Sequence, residues 1–430
     1  MKVLMFGWEF PPHISGGLGT ACYGLTKGLS NFKDIEVLFV VPKAHGDEDQ
    51  STMKLIGASD VSITQKKVVF KEIKQQIDYY EVDSLIVPYC DPEEFWKLKS
   101  SPQTVKTQFI QTDDQGKIEF SGKYGADLIT EIYNYALVSE TIARDNDFDI
   151  IHAHDWLAYP AGIAAKRISG KPLVIHVHAT DFDRSGGSVN PKVYAMEREG
   201  MEMADKIITV SNLTRQIVID KYGIDPEKVE TVYNAVEPVH IDEKKALKKG
   251  IDEKIVTFLG RITMQKGPEY FVEAAYQVLK REKKVRFVMA GSGDMMNAMI
   301  RRAAELKITD HFHFTGFLKG DDVFNMFKMS DVYVMPSVSE PFGISPLEAM
   351  QSDVPVIISK QSGVSEILTH AIKIDFWDIN AMADAIYALV KYPALSKTFK
   401  EHARTEVDNL QWKKSAKHVR KIYKQALNIR

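Results

Sequence analysis

The sequence predicts an α/β protein with two Rossmann-like domains, each a doubly wound parallel sheet, that face one another across a cleft. Short apolar runs typical of buried strands alternate with segments of helical periodicity along most of the chain, and this alternation favours parallel sheets. A polar, lysine-rich stretch at 237–254 interrupts the alternation and has the composition of a linker. The 430 residues are enough for two cores of roughly 200 residues each.

Composition and charge exclude several kinds of partner. The formal net charge of −3 gives no general attraction to nucleic acid, so we expect no nucleic-acid partner. Two cysteines, Cys22 and Cys90, are too few for a disulfide framework. The apolar run at the N-terminus is too short for a signal peptide or a membrane span. We therefore expect a cytoplasmic protein without integral membrane association.

The first domain opens with a strand at 2–7, a turn-rich loop and a helix. The apolar positions of this helix repeat at helical spacing: Leu18, Cys22, Leu25 and Leu29. Gly16 and Gly17 end the loop at the helix N-terminus, where free N–H groups favour a phosphate. A tight turn that needs positive φ explains the same two glycines equally well.

The rest of the first domain continues the alternation after a poorly patterned stretch from residue 43 to about 126. Further strands are predicted at 36–42, 149–154, 173–177, 206–210 and 229–232, with helices at 127–144, 159–168 and 213–222. The second domain has predicted strands at 255–259, 286–290, 311–315, 332–335, 354–359 and 371–374, with helices between them. A last helix is predicted at 412–427; its basic face is typical of a solvated surface, although contact with anionic lipid is an alternative.

The loop after the strand Val332–Met335 carries the densest set of candidate ligand groups. Glu340 and Glu348 bracket it, and Gly343 allows the backbone to approach a ligand. In an open parallel sheet such loops hold the ligand. Ser345 is predicted to cap the following helix, and Glu348 at the third helical position would then close a capping box, which alone explains that glutamate.

Two cations follow the first strand of the second domain. Arg261 and Lys266 lie in a strand-end loop next to a helix N-terminus, an arrangement suited to a diphosphate because guanidinium, ammonium and helix dipole all favour negative charge. With these cations present, no metal is needed to stabilise a departing diphosphate. Gly291 lies in a short turn at the end of the next strand. Such a turn can contact a nucleotide, but by itself it is weak evidence for nucleotide binding.

Four histidines alternate on two strand ends of the first domain. His152 and His154 project from one face of their strand, as do His176 and His178. With Asp155 and Asp181 nearby, four imidazoles are consistent with a metal-dependent hydrolase. In that interpretation the cations and glutamates of the second domain have no role.

These motifs together resemble those of the retaining GT-B glycosyltransferases, and of glycogen and starch synthases in particular. The resemblance is carried by Arg-x4-Lys at Arg261 and Lys266, Glu-x7-Glu at Glu340 and Glu348, Gly16-Gly17-Leu18-Gly19, and His154-Asp155-Trp156. It departs from the family at Ala235, where many relatives have Gly, and at Asp181, where Glu is frequent.

The resemblance implies a role for each matched residue. Arg261 and Lys266 would stabilise the diphosphate and Glu348 would bind the ribose, while His178 and Asp155 would lie near the reacting centre. The remaining donor-binding positions would be Gly16, Gly17, Gly291, Glu340, Pro341, Phe342, Gly343 and Ile344. The implied domains are 1–240 on the acceptor side, 241–410 for the nucleotide-sugar, and a helix at 411–430 that crosses back to the first domain.

The resemblance also implies a reaction. A hexosyl unit, with glucose as the first expectation, would pass from UDP-glucose or ADP-glucose to an acceptor hydroxyl, foremost that of a glucan. A small sugar, a sugar phosphate or a lipid is the alternative acceptor. We expect a sugar-nucleotide epimerase, or a catalytically inactive binding module with the same fold, less than a glycosyltransferase. No cofactor and no metal are implied.

Overall fold

The computed structural model describes residues 1–14, 16–63, 112–125, 127–237 and 249–428. Within these residues two parallel sheets with helices on their faces confirm the predicted class. Cys90, the charged stretch at 66–87, the boundary between 240 and 241, and most of the predicted linker lie outside the described residues.

The first sheet has seven strands in the order β3-β2-β1-β4-β5-β6-β7. Its strands are β1 (Lys2–Phe6), β2 (Glu36–Val41), β3 (Lys54–Gly57), β4 (Ile150–His154), β5 (Leu173–Val177), β6 (Lys206–Thr209) and β7 (Val229–Thr231). The accompanying helices are α1 (Gly17–Leu29), α2 (Leu128–Asp145), α3 (Tyr159–Ser169), α4 (Asp181–Ser185), α5 (Pro191–Met203) and α6 (Asn212–Tyr222). Since β1 pairs in parallel with both β2 and β4, the winding reverses there, and a crevice is expected at the carboxyl ends of these strands.

The second sheet has six strands in the order β10-β9-β8-β11-β12-β13. Its strands are β8 (Lys254–Leu259), β9 (Val285–Ala290), β10 (Phe312–Gly316), β11 (Val332–Met335), β12 (Val356–Ser359) and β13 (Ile372–Ile374). Its helices are α7 (Pro268–Leu279), α8 (Met296–Glu305), α9 (Asp321–Met329), α10 (Ser345–Gln351), α11 (Ile379–Lys391) and α12 (Pro393–Asp408). Here β8 pairs with β9 and β11, which places the reversal at the same position as in the first sheet.

Both sheets are covered on their two faces, which is why their strands have nearly continuous apolar sequences. All five residues of β4 and of β5 are buried. The helical repeat of α1 is buried as predicted, at Leu18, Cys22, Leu25 and Leu29. Each sheet therefore has its own apolar core.

The last helix, α13 (Trp412–Ala426), packs onto the first domain. Its apolar face is buried in the first core, and two glycines of α1 admit it: a Cβ at Gly24 would lie 2.2 Å from the Trp412 ring, and one at Gly28 would lie 2.6 Å from the Trp412 carbonyl oxygen. On its polar face, Arg420 pairs with Asp34 at 2.6 Å. Among the described residues, no helix combines the length and apolar character needed to cross a membrane.

Candidate functional site

Most of the predicted site residues lie in loops at the carboxyl ends of strands of both sheets, while Gly17 lies in α1 and Glu348 in α10. Asp155 follows β4, His178 follows β5, Arg261 follows β8, and Glu340 belongs to the loop after β11. Hydrogen bonds join the loops of the two sheets at several points. The Ser339 hydroxyl donates to Asp183 Oδ1 at 2.5 Å, and the Thr214 hydroxyl donates to the Pro341 carbonyl oxygen at 3.4 Å. The N–H groups of Asn212 and Leu213 donate to the Glu366 carboxylate at 2.9 and 2.7 Å. The Met264 side chain also lies against Gly186, where an added Cβ would come within 2.6 Å of the Met264 methyl group. The two carboxyl edges therefore face each other across a cleft.

Glu340 and Lys266 form an ion pair in this cleft. The Lys266 ammonium donates to Glu340 Oε2, and the Ser337 hydroxyl donates to the same oxygen at 3.2 Å. The backbone of Glu340 is held on both sides, because its N–H donates to Gln361 O at 3.0 Å and its carbonyl accepts from Gly363 N at 2.9 Å. The Glu340 side chain is 9 % exposed and that of Lys266 is 21 % exposed, so the ammonium remains accessible from the cleft.

Gln265, which sequence reasoning missed, connects the loop of Arg261 and Lys266 to the loop of Glu340. Its Oε1 accepts from Arg261 Nη2 at 2.9 Å, and its Nε2 donates to the Ser339 carbonyl oxygen at 3.1 Å. Its backbone carbonyl accepts from Val338 N at 2.9 Å. The only sequence signal for this residue is its position next to Lys266 in the motif. Arg261, Lys266 and Glu340 are thus brought together as one unit.

The glycines of the predicted site have different structural causes. Gly343 has φ of +97°, a conformation that favours glycine. Gly291 has φ of +140°, and a Cβ there would lie 1.8 Å from the Gly260 carbonyl oxygen, so close backbone packing alone requires it. Gly16 is extended, with φ of −172°, and a Cβ at Gly17 would meet nothing within 4 Å. The positive-φ explanation of Gly16 and Gly17 is therefore wrong, and Gly17 borders open space.

The predicted cap at Ser345 is wrong. Helix α10 begins at Ser345 itself, Ile344 precedes it, and no side chain caps the helix. The reason is that the Ser345 hydroxyl lies 2.8 Å from the Tyr333 hydroxyl and points to the strand. The capping-box explanation of Glu348 fails with it.

Glu348 is instead a half-buried carboxyl group. Burial raises its pKa to about 7, and within the described part of the chain its carboxylate has no hydrogen-bond or ion-pair partner. A partly accessible carboxylate with unoccupied acceptor positions is suited to accept hydrogen bonds from a ligand.

Asp155 is held in an unusual conformation between two donors. Its φ is +62°, and its Oδ1 accepts from Trp156 N at 2.8 Å and from Arg184 Nη2 at 3.1 Å. Glu197, a second residue missed from sequence, accepts from Arg184 Nη1 at 3.0 Å. Burial raises the pKa of Glu197, and the Arg184 guanidinium and the Tyr222 hydroxyl oppose the rise.

Asp183 and Asp181 serve the local backbone. The N–H and hydroxyl of Thr180 both donate to Asp183 Oδ2 at 2.8 Å, so Asp183 closes a capping box on α4. Asp181 Oδ2 accepts from Asn190 N at 2.5 Å. Both carboxylates are therefore engaged by groups of the protein itself.

The four histidines form a stacked, neutral cluster. Ring centroids of His152 and His154 lie 4.2 Å apart, those of His152 and His176 lie 5.4 Å apart, and His154 Nδ1 is 2.9 Å from His178 Nε2. Burial lowers the pKa of His178 to about 4 and holds the pKa values of the other three well below 6.5. His152 Nδ1 is also 2.6 Å from the Tyr423 hydroxyl of α13.

This cluster does not support the hydrolase alternative. Ligand atoms of His152, His154 and His176 lie within 4.8 Å of one another, as do those of Cys22, His154 and His178. However, stacked rings direct their in-plane nitrogens side by side, and a hydrolytic metal needs an open position for water. His152, His154 and His176 are 0 %, 0 % and 2 % exposed, so water has no access to their ring nitrogens.

Comparison with known proteins points to one kind of enzyme. Residues 127–240 match the family model for Glycosyltransferase Family 4, and residues 240–406 match that for Glycosyl transferases group 1. An uncharacterized glycosyltransferase of Methanocaldococcus jannaschii is 29 % identical over 448 aligned positions, covering 100 % of this chain and 99 % of that one. A glycogen synthase of Mycobacterium tuberculosis is 22 % identical, covering 98 % and 94 %. The crystal structure of Anabaena HepE with UDP and glucose superposes with a TM-score of 0.68 at 16 % identity, covering 99 % and 100 %, a likeness of fold.

Proposed function

Because this chain belongs to the GT-B glycosyltransferases, we propose that it transfers glucose from a nucleoside diphosphate sugar to a hydroxyl group of a glucan, with retention at the anomeric carbon. The observation that carries the proposal is the Lys266–Glu340 ion pair in the cleft. It joins a cation suited to the diphosphate to a carboxylate suited to the sugar hydroxyls.

Charge neutralisation explains how the second domain would promote the reaction. Negative charge accumulates on the diphosphate as its bond to the sugar breaks, and donors placed in advance stabilise that charge. Lys266 supplies a point charge, and Arg261 supplies a fork that Gln265 orients at 2.9 Å. We propose that these two cations act without a metal ion.

Glu348 is the proposed ribose ligand. Vicinal ribose hydroxyls can both donate to one carboxylate, and hydrogen bonds to an ionised acceptor are stronger than those between neutral groups. Glu348 is half-buried and within the described residues has no other partner. Its pKa of about 7 means that this acceptor is partly protonated at neutral pH when the donor is absent.

The proposed reacting centre lies between the two sheets. In the retaining reaction, the bond from the anomeric carbon to the phosphate oxygen breaks, and a bond to the acceptor oxygen forms on the same face of the sugar. The acceptor proton passes to an oxygen of the departing diphosphate. Neutral His178, with a pKa of about 4, offers a hydrogen bond without adding positive charge, and Asp155 lies beside it in the same cleft wall.

The acceptor is proposed from two stretches, Gly16-Gly17-Leu18-Gly19 and His154-Asp155-Trp156, which resemble those of glycogen synthases, and from the glycogen synthase relative. A small sugar, a sugar phosphate or a lipid is the second candidate for the acceptor. The donor half of the proposal does not depend on which of them is correct.

The proposal is tested by nucleoside diphosphate release from UDP-, ADP- and GDP-sugars, with and without glycogen, in the presence of a chelator. Release from one donor that increases with glycogen supports the whole proposal, and NMR of the product then reports its anomeric configuration. Release that is indifferent to glycogen retains the donor assignment and excludes the glucan. Release only after a divalent ion is restored contradicts the metal-free proposal.

Arg261→Ala and Glu340→Ala serve as site controls. We expect both to lose turnover while keeping the fold, and Arg261→Ala also to lose affinity for the free nucleoside diphosphate. Unchanged diphosphate affinity in Arg261→Ala would show that the donor binds elsewhere.

A further inference from the structure

A buried charged cluster lies directly behind Asp155. The Arg184 guanidinium connects Asp155, at 3.1 Å, to Glu197, at 3.0 Å. The side chains of Asp155, Arg184 and Glu197 are 2 %, 9 % and 1 % exposed. Charges so far from water are stable only when they are paired and hydrogen-bonded, so the three residues depend on one another.

Arg184 is committed to its protein neighbours. Its Nη1 donates to Glu197 Oε1, and its Nη2 donates both to Asp155 Oδ1 and to the Ala179 carbonyl oxygen at 3.1 Å. A guanidinium engaged on both arms and almost fully buried is not placed to hold a substrate phosphate. Arg184 lies on α4, which begins shortly after His178 in the sequence, and it supports the cleft wall.

Glu197 in turn is fixed from two further directions. Its Oε2 accepts from Asp181 N at 3.2 Å and from the Tyr222 hydroxyl. These donors come from the start of α4 and the end of α6, while Glu197 itself lies on α5. Three helices therefore define the position of the carboxylate that anchors Arg184.

Asp155 needs such an anchor because its backbone is in the left-handed region, with φ of +62°. For a residue with a Cβ this conformation is unfavourable and persists only when the surroundings hold it. The two bonds to its Oδ1, from Trp156 N and from Arg184, are the contacts that fix its carboxylate.

We propose that Arg184 and Glu197 are positioning residues, which hold the Asp155 carboxylate at the reacting centre without touching the substrate. This inference rests on the proposed function, which places Asp155 there. It assigns a role to a helix, α5, that sits behind the cleft wall.

Glu197→Gln is the informative variant because it keeps the shape of the side chain. Both oxygens of the Glu197 carboxylate accept hydrogen bonds, whereas the glutamine amide has one acceptor oxygen and one N–H donor. At one of the two positions the amide N–H therefore faces another donor. In either orientation of the amide the charge that pairs with Arg184 is lost, so Arg184 is held less firmly, and displacement of a reacting group by about 1 Å costs roughly 100-fold in rate. We expect kcat to fall roughly 10- to 100-fold, while donor KM and affinity for the free nucleoside diphosphate stay unchanged.

Glu202→Gln is the matched control. It makes the same chemical change on the same helix, in a side chain that is 55 % exposed and pairs with Arg198 at 2.8 Å. We expect wild-type kcat. Arg184→Lys keeps the charge but lacks the fork that reaches both carboxylates, so we expect it to lose as much kcat as Glu197→Gln.

A double-variant cycle separates positioning from general support of the fold. If Glu197 acts through Asp155, Glu197→Gln costs little further kcat in an Asp155→Asn background, because coupled residues are not additive. Equal losses in both backgrounds, or wild-type kcat in Glu197→Gln, would overturn the inference while the proposed function stands. Wild-type kcat in Asp155→Asn would overturn the inference together with the assigned role of Asp155. Absence of diphosphate release by the wild type from any donor would instead refute the proposed function.

Discussion

Replacing Lys266 by Met tests the ion pair on which the proposed function depends. Methionine keeps most of the apolar stem of lysine but removes the ammonium, so among the described residues Glu340, 9 % exposed, keeps only the Ser337 hydroxyl at 3.2 Å as a side-chain partner. Removing one partner of a buried ion pair costs about 3–5 kcal/mol. Because Lys266 is 21 % exposed, we expect the lower end, about 3 kcal/mol. Loss of a donor to the developing diphosphate charge should also reduce kcat about 100- to 1,000-fold.

The double variant Lys266→Met/Glu340→Gln separates the two effects. It leaves no unpaired charge, so we expect it to recover most of the unfolding free energy but none of the turnover. Lys397→Met is the surface control, since the Lys397–Glu401 pair is 75 % and 63 % exposed and should change stability by less than about 0.5 kcal/mol. Urea unfolding and diphosphate release are measured on each variant. Full stability in Lys266→Met, or turnover in the double variant, would refute the reasoning.

Three further outcomes are expected. Burial raises the pKa of Glu348 to about 7, so the carboxylate is protonated as pH falls through 7. The KM for the donor should increase below that pH, and Glu348→Gln should have a high KM at all pH values. A pH-independent wild-type KM would exclude Glu348 as the ribose ligand. Gly24→Ala places a Cβ 2.2 Å from the Trp412 ring and should lower the unfolding free energy, measured in urea, by about 1–3 kcal/mol. Gly17→Ala places a Cβ that meets nothing within 4 Å and should leave the unfolding free energy within about 0.5 kcal/mol of wild type. Equal losses in the two variants would disprove this packing. Gly291→Ala meets the Gly260 carbonyl oxygen at 1.8 Å and should yield little folded protein by circular dichroism, and a wild-type melting curve would count against this close approach.

Several elements could be predicted because their residues act locally. Strands buried on both faces, such as β4 and β5, are continuous apolar runs, and α1 shows its buried positions through a helical repeat. By contrast β3, at Lys54–Gly57, and α5, at Pro191–Met203, were not anticipated. Only one of the four residues of β3 is buried, and Glu197 and Gly200 interrupt the buried face of α5, so neither shows a continuous apolar pattern.

The candidate site shows the same division. The sequence by itself determined that charged and glycine-bearing loops follow the strands, because each motif is a short segment next to a strand. The pairing of Lys266 with Glu340, of Arg184 with Glu197, and of Ser339 with Asp183 was decided only by the tertiary structure. The cap predicted at Ser345 failed for the same reason: the Ser345 hydroxyl lies 2.8 Å from the hydroxyl of Tyr333 on β11, and no side chain caps the helix that begins at Ser345. Local periodicity defines elements, whereas the partners of polar groups depend on which loops two separate sheets bring together.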